Sequence, residues 1–66
     1  MRLTINGEPR EIPGAADVAG LVAALSLDAR KVAVERNLEI VPRSLYKATP
    51  LSDGDRIEIV HFIGGG

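Results

Sequence analysis

The chain has 66 residues, no cysteine, and eight basic and nine acidic residues that leave a formal net charge of −1. This length allows one domain whose apolar core supplies only about 3–5 kcal/mol of stability, and the missing thiols exclude disulfides, thiolate metal sites and cysteine nucleophiles. The interspersed charges and only two aromatic residues, Tyr46 and Phe62, argue against nucleic acid binding, which requires a concentrated basic surface or stacking platform.

Nothing in the sequence indicates a membrane protein or a metal site. The residues Met1 to Ile5 lack the apolar region of a signal peptide, and no stretch approaches the roughly 20 apolar residues that cross a bilayer. A soluble cytoplasmic protein is therefore expected. The one histidine, His61, lies within an apolar run, where a strand side chain is expected rather than a metal ligand or a base.

The chain is predicted to begin with a β-hairpin. Leu3 and Ile5 alternate with polar residues, as in a strand with one buried face. Asn6-Gly7 favours the positive φ angles of a tight turn, so the chain should return through Pro9–Ile12 as an antiparallel strand. Pro13-Gly14 then ends the hairpin.

An amphipathic helix is predicted next. Asp17 is a suitable N-cap, and Gly20 lies inside the helix at a cost of up to about 1 kcal/mol relative to alanine, which close packing against a sheet would offset. The apolar stripe occurs at positions i, i+3, i+4 and i+7 and consists of Val18, Leu21, Val22 and Leu25.

A second strand pair is predicted from Val32–Arg36 and Ile40–Arg43, with Asn37 in the turn between them. Proline has no N–H to donate to a sheet, so the strand that contains Pro42 should lie at a sheet edge or end there. Leu45 and Tyr46 are expected to pack a short irregular or single-turn segment beneath the core.

The last predicted strand is Arg56–Phe62. It follows Ser52–Asp55, which has the composition of a turn and lacks the remaining residues of a calcium-binding loop.

The element order β-β-α-β-β-β predicts a two-layer α+β domain with one mixed sheet and one main helix. A right-handed crossover would place the last strand parallel to the first, near the sheet centre. If Ile57 and Ile59 face the helix, Val60 and Phe62 are exposed on the uncovered face, where clustered apolar residues indicate a docking surface.

The sequence stops on Gly64, Gly65 and Gly66, directly after the last apolar run. On composition alone, such a tail is typical of a frayed terminus. Glycine has no side chain, however, so an extended glycine tail can enter a slot too narrow for other residues and bring the Gly66 carboxylate there first.

The whole chain resembles the ThiS family of sulfur carrier proteins of thiamine biosynthesis, which share the ubiquitin-like β-grasp fold. The resemblance implies a β-grasp domain over residues 1–63 and a flexible reactive tail over residues 64–66. It rests on Asn6-Gly7-Glu8, Val32-Ala33-Val34-Glu35 with Asn37, Ile40-Val41-Pro42-Arg43-Ser44, Gly54-Asp55 before Ile57-Glu58-Ile59-Val60, and Phe62 before the glycines.

The resemblance implies a protein cosubstrate rather than an enzyme. An E1-like adenylating partner would use ATP to convert the Gly66 carboxylate to an acyl-adenylate, and a persulfide from a sulfur donor protein would replace the AMP. The product would be a covalent 1-thioglycine at Gly66, a thiocarboxylate that donates sulfur to thiazole synthase. The chain itself would bind no cofactor, since it has no Gly-rich phosphate loop followed by lysine.

In this interpretation Gly66 is the reactive residue and Gly64 and Gly65 are its slender stem. The predicted partner contacts are Val60, Phe62 and Ile63, with Arg43 and Glu58 as charged candidates. Four further residues of the matching motifs are expected to shape turns rather than to contact partners: Asn6, Gly7, Gly54 and Asp55.

Three alternatives remain at this point. A related carrier could serve molybdopterin synthesis, although those relatives are usually longer and lack an Ile-Val-Pro-Arg-Ser segment. A protein modifier would instead join its tail to lysines, and a non-catalytic β-grasp interaction module would make no chemical use of the glycines.

Overall fold

Five strands and one α-helix form the framework of residues 1–62, the part of the chain that the computed structural model describes. Two 3₁₀ helices, Ala29–Lys31 and Arg43–Ala48, lie on either side of the second strand pair. The predicted order of elements is confirmed. The strands are β1 (Arg2–Ile5), β2 (Glu8–Glu11), β3 (Val32–Arg36), β4 (Glu39–Val41) and β5 (Arg56–His61), and the helix is α1 (Val18–Ala24).

The hairpin of β1 and β2 forms as the turn residues predict. Asn6 and Gly7 have φ angles of 50° and 83°, which match a tight turn between antiparallel strands. The return strand begins one residue earlier than expected and ends at Glu11. Ile12 follows it, is buried, and donates its N–H to the Met1 carbonyl oxygen at 2.8 Å.

The predicted cap and apolar stripe of α1 are both confirmed. The Asp17 Oδ1 accepts a hydrogen bond from the Gly20 N–H at 2.7 Å, and the stripe residues Val18, Leu21 and Val22 are buried. The expected reason for Gly20 is wrong. A Cβ built on it would lie 3.3 Å from the Asp17 Oδ1, so the close contact is with the helix cap and not with the sheet.

The strand order across the sheet is β2-β1-β5-β3-β4. As predicted, β5 lies at the centre, parallel to β1 and antiparallel to β3. β4 is an edge strand that ends at Val41, immediately before Pro42. The prediction for proline is therefore confirmed, because its missing N–H lies beyond the last paired residue.

The core lies between α1 and the helix-facing side of the sheet. Tyr46 closes it from the second 3₁₀ helix and donates its hydroxyl to the Val32 carbonyl oxygen at 3.4 Å. Its neighbour Leu45 is 48% exposed, so the expectation that both residues pack beneath the core is wrong for Leu45. With three residues per turn, adjacent side chains of a 3₁₀ helix point in different directions.

The predicted turn at Ser52–Asp55 carries a partly buried hydrogen-bond network. The Asp55 carboxylate accepts from the Ser52 N–H at 2.7 Å, the Arg36 Nε at 2.9 Å and the Asn37 Nδ2 at 3.0 Å. Burial alone would raise the pKa of Asp55, but these hydrogen bonds and the Arg36 charge outweigh it and lower that pKa. The network ties the start of β5 to the end of β3.

Candidate functional site

The candidate site includes the carboxyl end of β5, which precedes the glycine tail in the sequence. Asn6 holds this strand from the hairpin turn: its Oδ1 accepts from the Ile59 N–H at 2.8 Å, and its Nδ2 donates to the Ile59 carbonyl oxygen at 3.2 Å. On the other side, the Phe62 N–H donates to the Lys31 carbonyl oxygen at 2.8 Å. Backbone pairing therefore holds the chain in place as far as Phe62.

The predicted roles of the tail itself lie outside the described residues. This applies to Ile63 as a partner contact, to Gly64 and Gly65 as a stem, and to Gly66 as the reactive residue. These assignments stay predictions. What the structure describes is the base of the tail and the surface beside it.

The two faces of β5 differ as predicted. Ile57 is fully buried and Ile59 packs against the core, whereas Val60 and Phe62 are 60% and 54% exposed. Because alternate residues of a strand point to opposite faces, the exposed pair belongs to the sheet face that α1 does not cover. This is the surface on which partner contacts are predicted.

The exposed apolar surface extends beyond β5 onto β3 and β4. Ala33 lies directly opposite Val60 in the sheet, and Ile40 lies opposite Glu35. Ile40 is 66% exposed. We call this region of the uncovered face the apolar half-face; it consists of Ala33, Ile40, Val60 and Phe62, with Glu35 and Glu58 beside them.

Sequence reasoning missed Ala33, Glu35 and Ile40 as members of this surface. The period-two alternation in Val32–Arg36 does indicate that Ala33 and Glu35 share a face. Pairing β3 with β5 in the observed register is what brings them beside Val60 and Glu58. That register joins residues more than 20 positions apart and was not assigned from the sequence.

The two charged candidates for partner contact lie in different places. Glu58 is on the apolar half-face, with its Oε1 4.0 Å from the Arg56 Nε. Arg43 begins the second 3₁₀ helix and donates from Nη2 to the Arg30 carbonyl oxygen at 3.2 Å. Since Arg30 adjoins Lys31, which pairs with Phe62, Arg43 lies at the tail end of the sheet rather than beside Glu58.

An open cleft of about 340 Å³ lies on the opposite side, between the end of α1 and the sheet. Ile5, Leu25 and Ile59 contribute its apolar lining, and Arg10 and His61 lie at it as well. Within residues 1–62, no three His, Cys, Asp or Glu side chains are close enough together to hold a metal ion. His61 is the last residue of β5, in agreement with its predicted position on a strand.

Comparison with known proteins agrees with this architecture. The family model described as "ThiS family" matches residues 3–66. The chain belongs to the ThiS family. The resemblance inferred from the sequence is therefore confirmed, and the family's ubiquitin-like β-grasp is the fold observed here. ThiS proteins are small sulfur carriers of thiamine biosynthesis rather than enzymes.

A solved structure and several curated proteins are similar to this ThiS family member. The crystal structure of a ThiS thiamine biosynthesis protein from Geobacter metallireducens has a TM-score of 0.84 and 42% identity, with 100% of both chains covered. The sulfur carrier protein ThiS of Bacillus subtilis strain 168 is 47% identical over 49 residues, which are 74% of each chain.

Larger proteins contain a segment similar to the entire chain. A thiazole synthase of Paramagnetospirillum magneticum is 56% identical over all 66 residues, and one from Magnetococcus marinus is 46% identical over the same length. The chain spans 20% of the length of each of these thiazole synthases.

The helices of the described residues are too short or too polar to cross a membrane.

Proposed function

We propose that the chain is a sulfur carrier of thiamine biosynthesis whose Gly66 carboxylate is converted to a thiocarboxylate and delivers sulfur to thiazole synthase. The observation that carries this proposal is the similarity of the chain both to a protein named sulfur carrier ThiS and to a segment of proteins named thiazole synthase. A carrier and the enzyme it supplies would have reason to share one polypeptide.

The chemistry requires activation of the carboxylate by another protein. An α-carboxyl group has a pKa of roughly 3.3–3.7, so at neutral pH it is ionised and has no good leaving group. In the active site of an E1-like partner, an oxygen of the Gly66 carboxylate would attack the α-phosphorus of ATP and release pyrophosphate. The resulting acyl-adenylate has AMP as its leaving group.

Sulfur then has to come from outside, because the chain has no cysteine. The terminal sulfur of a donor persulfide would attack the acyl carbon and displace AMP. This leaves an acyl disulfide between Gly66 and the donor. A second thiol would attack the donor sulfur, break the S–S bond, form a disulfide with the donor and release the thiocarboxylate on Gly66. Two electrons from that thiol balance the step.

The described residues contribute a firm base and a docking surface. The hydrogen bonds of Asn6 to Ile59 and of Phe62 to Lys31 fix the point from which the tail departs. Four extended residues reach about 13 Å, enough to place Gly66 inside a partner while the sheet stays outside. Val60 and Phe62 lie exposed beside that departure point.

The proposal is tested by intact-mass spectrometry. The protein is incubated with the adenylating enzyme, ATP and a persulfide donor, and we expect a mass increase equal to the replacement of one oxygen by sulfur. A variant that lacks Gly65 and Gly66 is the control and should show no increase. The absence of any mass change in the full chain with competent partners would refute the proposal.

A second experiment separates thiazole synthesis from molybdopterin synthesis. The thiocarboxylate form is supplied to purified thiazole synthase and to purified molybdopterin synthase, and sulfur transfer is followed by product formation. We expect product with thiazole synthase. Product with molybdopterin synthase alone would identify a carrier of the other pathway, and conjugation of the tail to lysines would identify a protein modifier.

A further inference from the structure

Two glutamates lie directly opposite each other at one edge of the apolar half-face. Glu35 on β3 pairs in register with Glu58 on β5, and both are half-buried. Side chains in such a pair have Cβ atoms roughly 5 Å apart, and like charges in this position destabilise a sheet. The fold therefore carries an unfavourable pair of like charges between its two longest strands.

Nearby cations do little to neutralise this pair. Among the described residues, Glu35 makes no ion pair, and the contact of Glu58 with Arg56 is 4.0 Å long and exposed. Glutamate is also depleted in strands, where β-branched residues fit better. Neither strand pairing nor core packing accounts for two carboxylates at these positions.

The surroundings of the pair are apolar and uncovered. Ile40 and Val60 are more than half exposed; Ile40 pairs with Glu35 in the sheet, and Val60 pairs with Ala33. A partner that covers these residues would remove water from the two carboxylates. Their charge then has to be met by a cation from that partner, because buried unpaired charge is costly.

We propose that Glu35 and Glu58 together receive one basic side chain, an arginine or a lysine, that thiazole synthase presents within an apolar surface. This inference rests on the proposed function, and it adds the element that selects the partner. The apolar residues provide contact area. The acidic pair favours a partner surface with a basic side chain at this point over surfaces that lack one.

A second copy of the chain is a poor occupant of the same surface. In a two-fold dimer whose axis passes through the Glu35–Glu58 pair, these residues of one copy would meet the same residues of the other. Four carboxylates would then be buried together without a cation. The thiazole synthases that contain a segment similar to the whole chain instead point to that enzyme as the partner.

The test compares two double variants that remove the same charge. Glu35→Gln/Glu58→Gln neutralises the pair, whereas Glu8→Gln/Glu39→Gln neutralises two exposed glutamates that point to the helix side of the sheet. Binding of unloaded protein to thiazole synthase is measured by calorimetry at two salt concentrations. We expect the first variant to bind at least about tenfold more weakly and with less salt dependence, and the control to bind like wild type.

Thermal unfolding and sedimentation complete the experiment. The Glu35→Gln/Glu58→Gln variant should unfold at the wild-type temperature or above it, since a repulsive pair has been removed. Lower stability would show that the pair supports the fold, and a wild-type dimer that the variant strengthens would show that the face serves self-association. Either result would overturn the inference.

The binding data also separate this inference from the proposed function. If wild-type protein binds thiazole synthase and the acidic-pair variant binds equally well, only the inference fails. If wild-type protein neither binds the enzyme nor acquires sulfur in the mass experiment, the proposed function fails.

Discussion

Replacement of Asp55 by asparagine should destabilise the domain severely, although Asp55 lies away from the tail and from the apolar half-face. Its carboxylate accepts hydrogen bonds from Ser52, Arg36 and Asn37, and its side chain is only 9% exposed. Asparagine keeps one acceptor oxygen and turns an NH₂ group toward a donor. One or two of the three hydrogen bonds must therefore be lost.

The expected loss follows from the kind of hydrogen bond involved. A hydrogen bond to a charged group contributes about 1.5–3 kcal/mol, so Asp55→Asn should cost about 2–3 kcal/mol. A domain of this size is stable by only about 3–5 kcal/mol. The melting temperature should fall by about 10–20 °C, because each kcal/mol corresponds to about 4–8 °C in a domain this small.

The Asp55 carboxylate should also make the folding stability of the wild-type protein decrease at acid pH. Its pKa is lowered in the folded state, so the unfolded chain binds the proton more readily, and folding stability rises with pH. The contribution is complete above the ordinary aspartate value of 3.8 and is lost as the pH falls from there through the lower folded pKa. Asp55→Asn should lack this contribution at every pH.

Thermal unfolding followed by circular dichroism, at neutral pH and at a series of acid pH values, measures both effects. Asp28→Asn is the matched control. Hydrogen bonds from the Arg30 side chain lower the pKa of Asp28 to about 2, but this pair lies at the surface, where water screens it. A melting temperature of Asp55→Asn equal to that of Asp28→Asn would refute the reasoning.

Three further substitutions test other parts of the molecule. Asn6→Ala should lower the free energy of unfolding by about 2 kcal/mol in chemical denaturation, because it loses both hydrogen bonds to Ile59 and strains a positive φ. Asn6→Gly is the control, since it loses the hydrogen bonds without the strain, and equal stability of wild type and Asn6→Ala would contradict the prediction. Leu21→Ala removes a fully buried side chain and should cost about 3 kcal/mol, which lowers the melting temperature measured by circular dichroism by about 12–24 °C. An unchanged melting temperature would contradict this. Phe62→Asp should weaken thiazole synthase binding at least about tenfold in calorimetry without lowering the melting temperature; a destabilised variant would place Phe62 in the core instead.

Much of the fold could be predicted because local patterns and tertiary structure agree. Asn6-Gly7 has the positive φ angles of a hairpin turn, Asp17 caps the helix, and the alternation along β5 separates Ile57 from Val60. Each of these features depends on residues close together in the chain, so the sequence alone carries the information.

The features that could not be predicted depend on residues far apart. Asp55 was assigned only to a turn, since nothing local shows that Arg36 and Asn37 would reach it. The opposition of Glu35 and Glu58 likewise follows from the register between β3 and β5. The sequence predicts a docking surface near Phe62, but the acidic pair at its edge is recognisable only from the sheet register.

The central position of β5 links completion of the domain to the presentation of its tail. A ribosome makes β1 and β3 before β5, and without β5 these two strands have no neighbour in common. Long-range pairing of this kind must wait until the last strand has emerged. A partner that binds Val60, Ala33 and Ile40 as one surface would bind only after β5 has paired with β3. Thiazole synthase would then accept sulfur only from chains that have already folded.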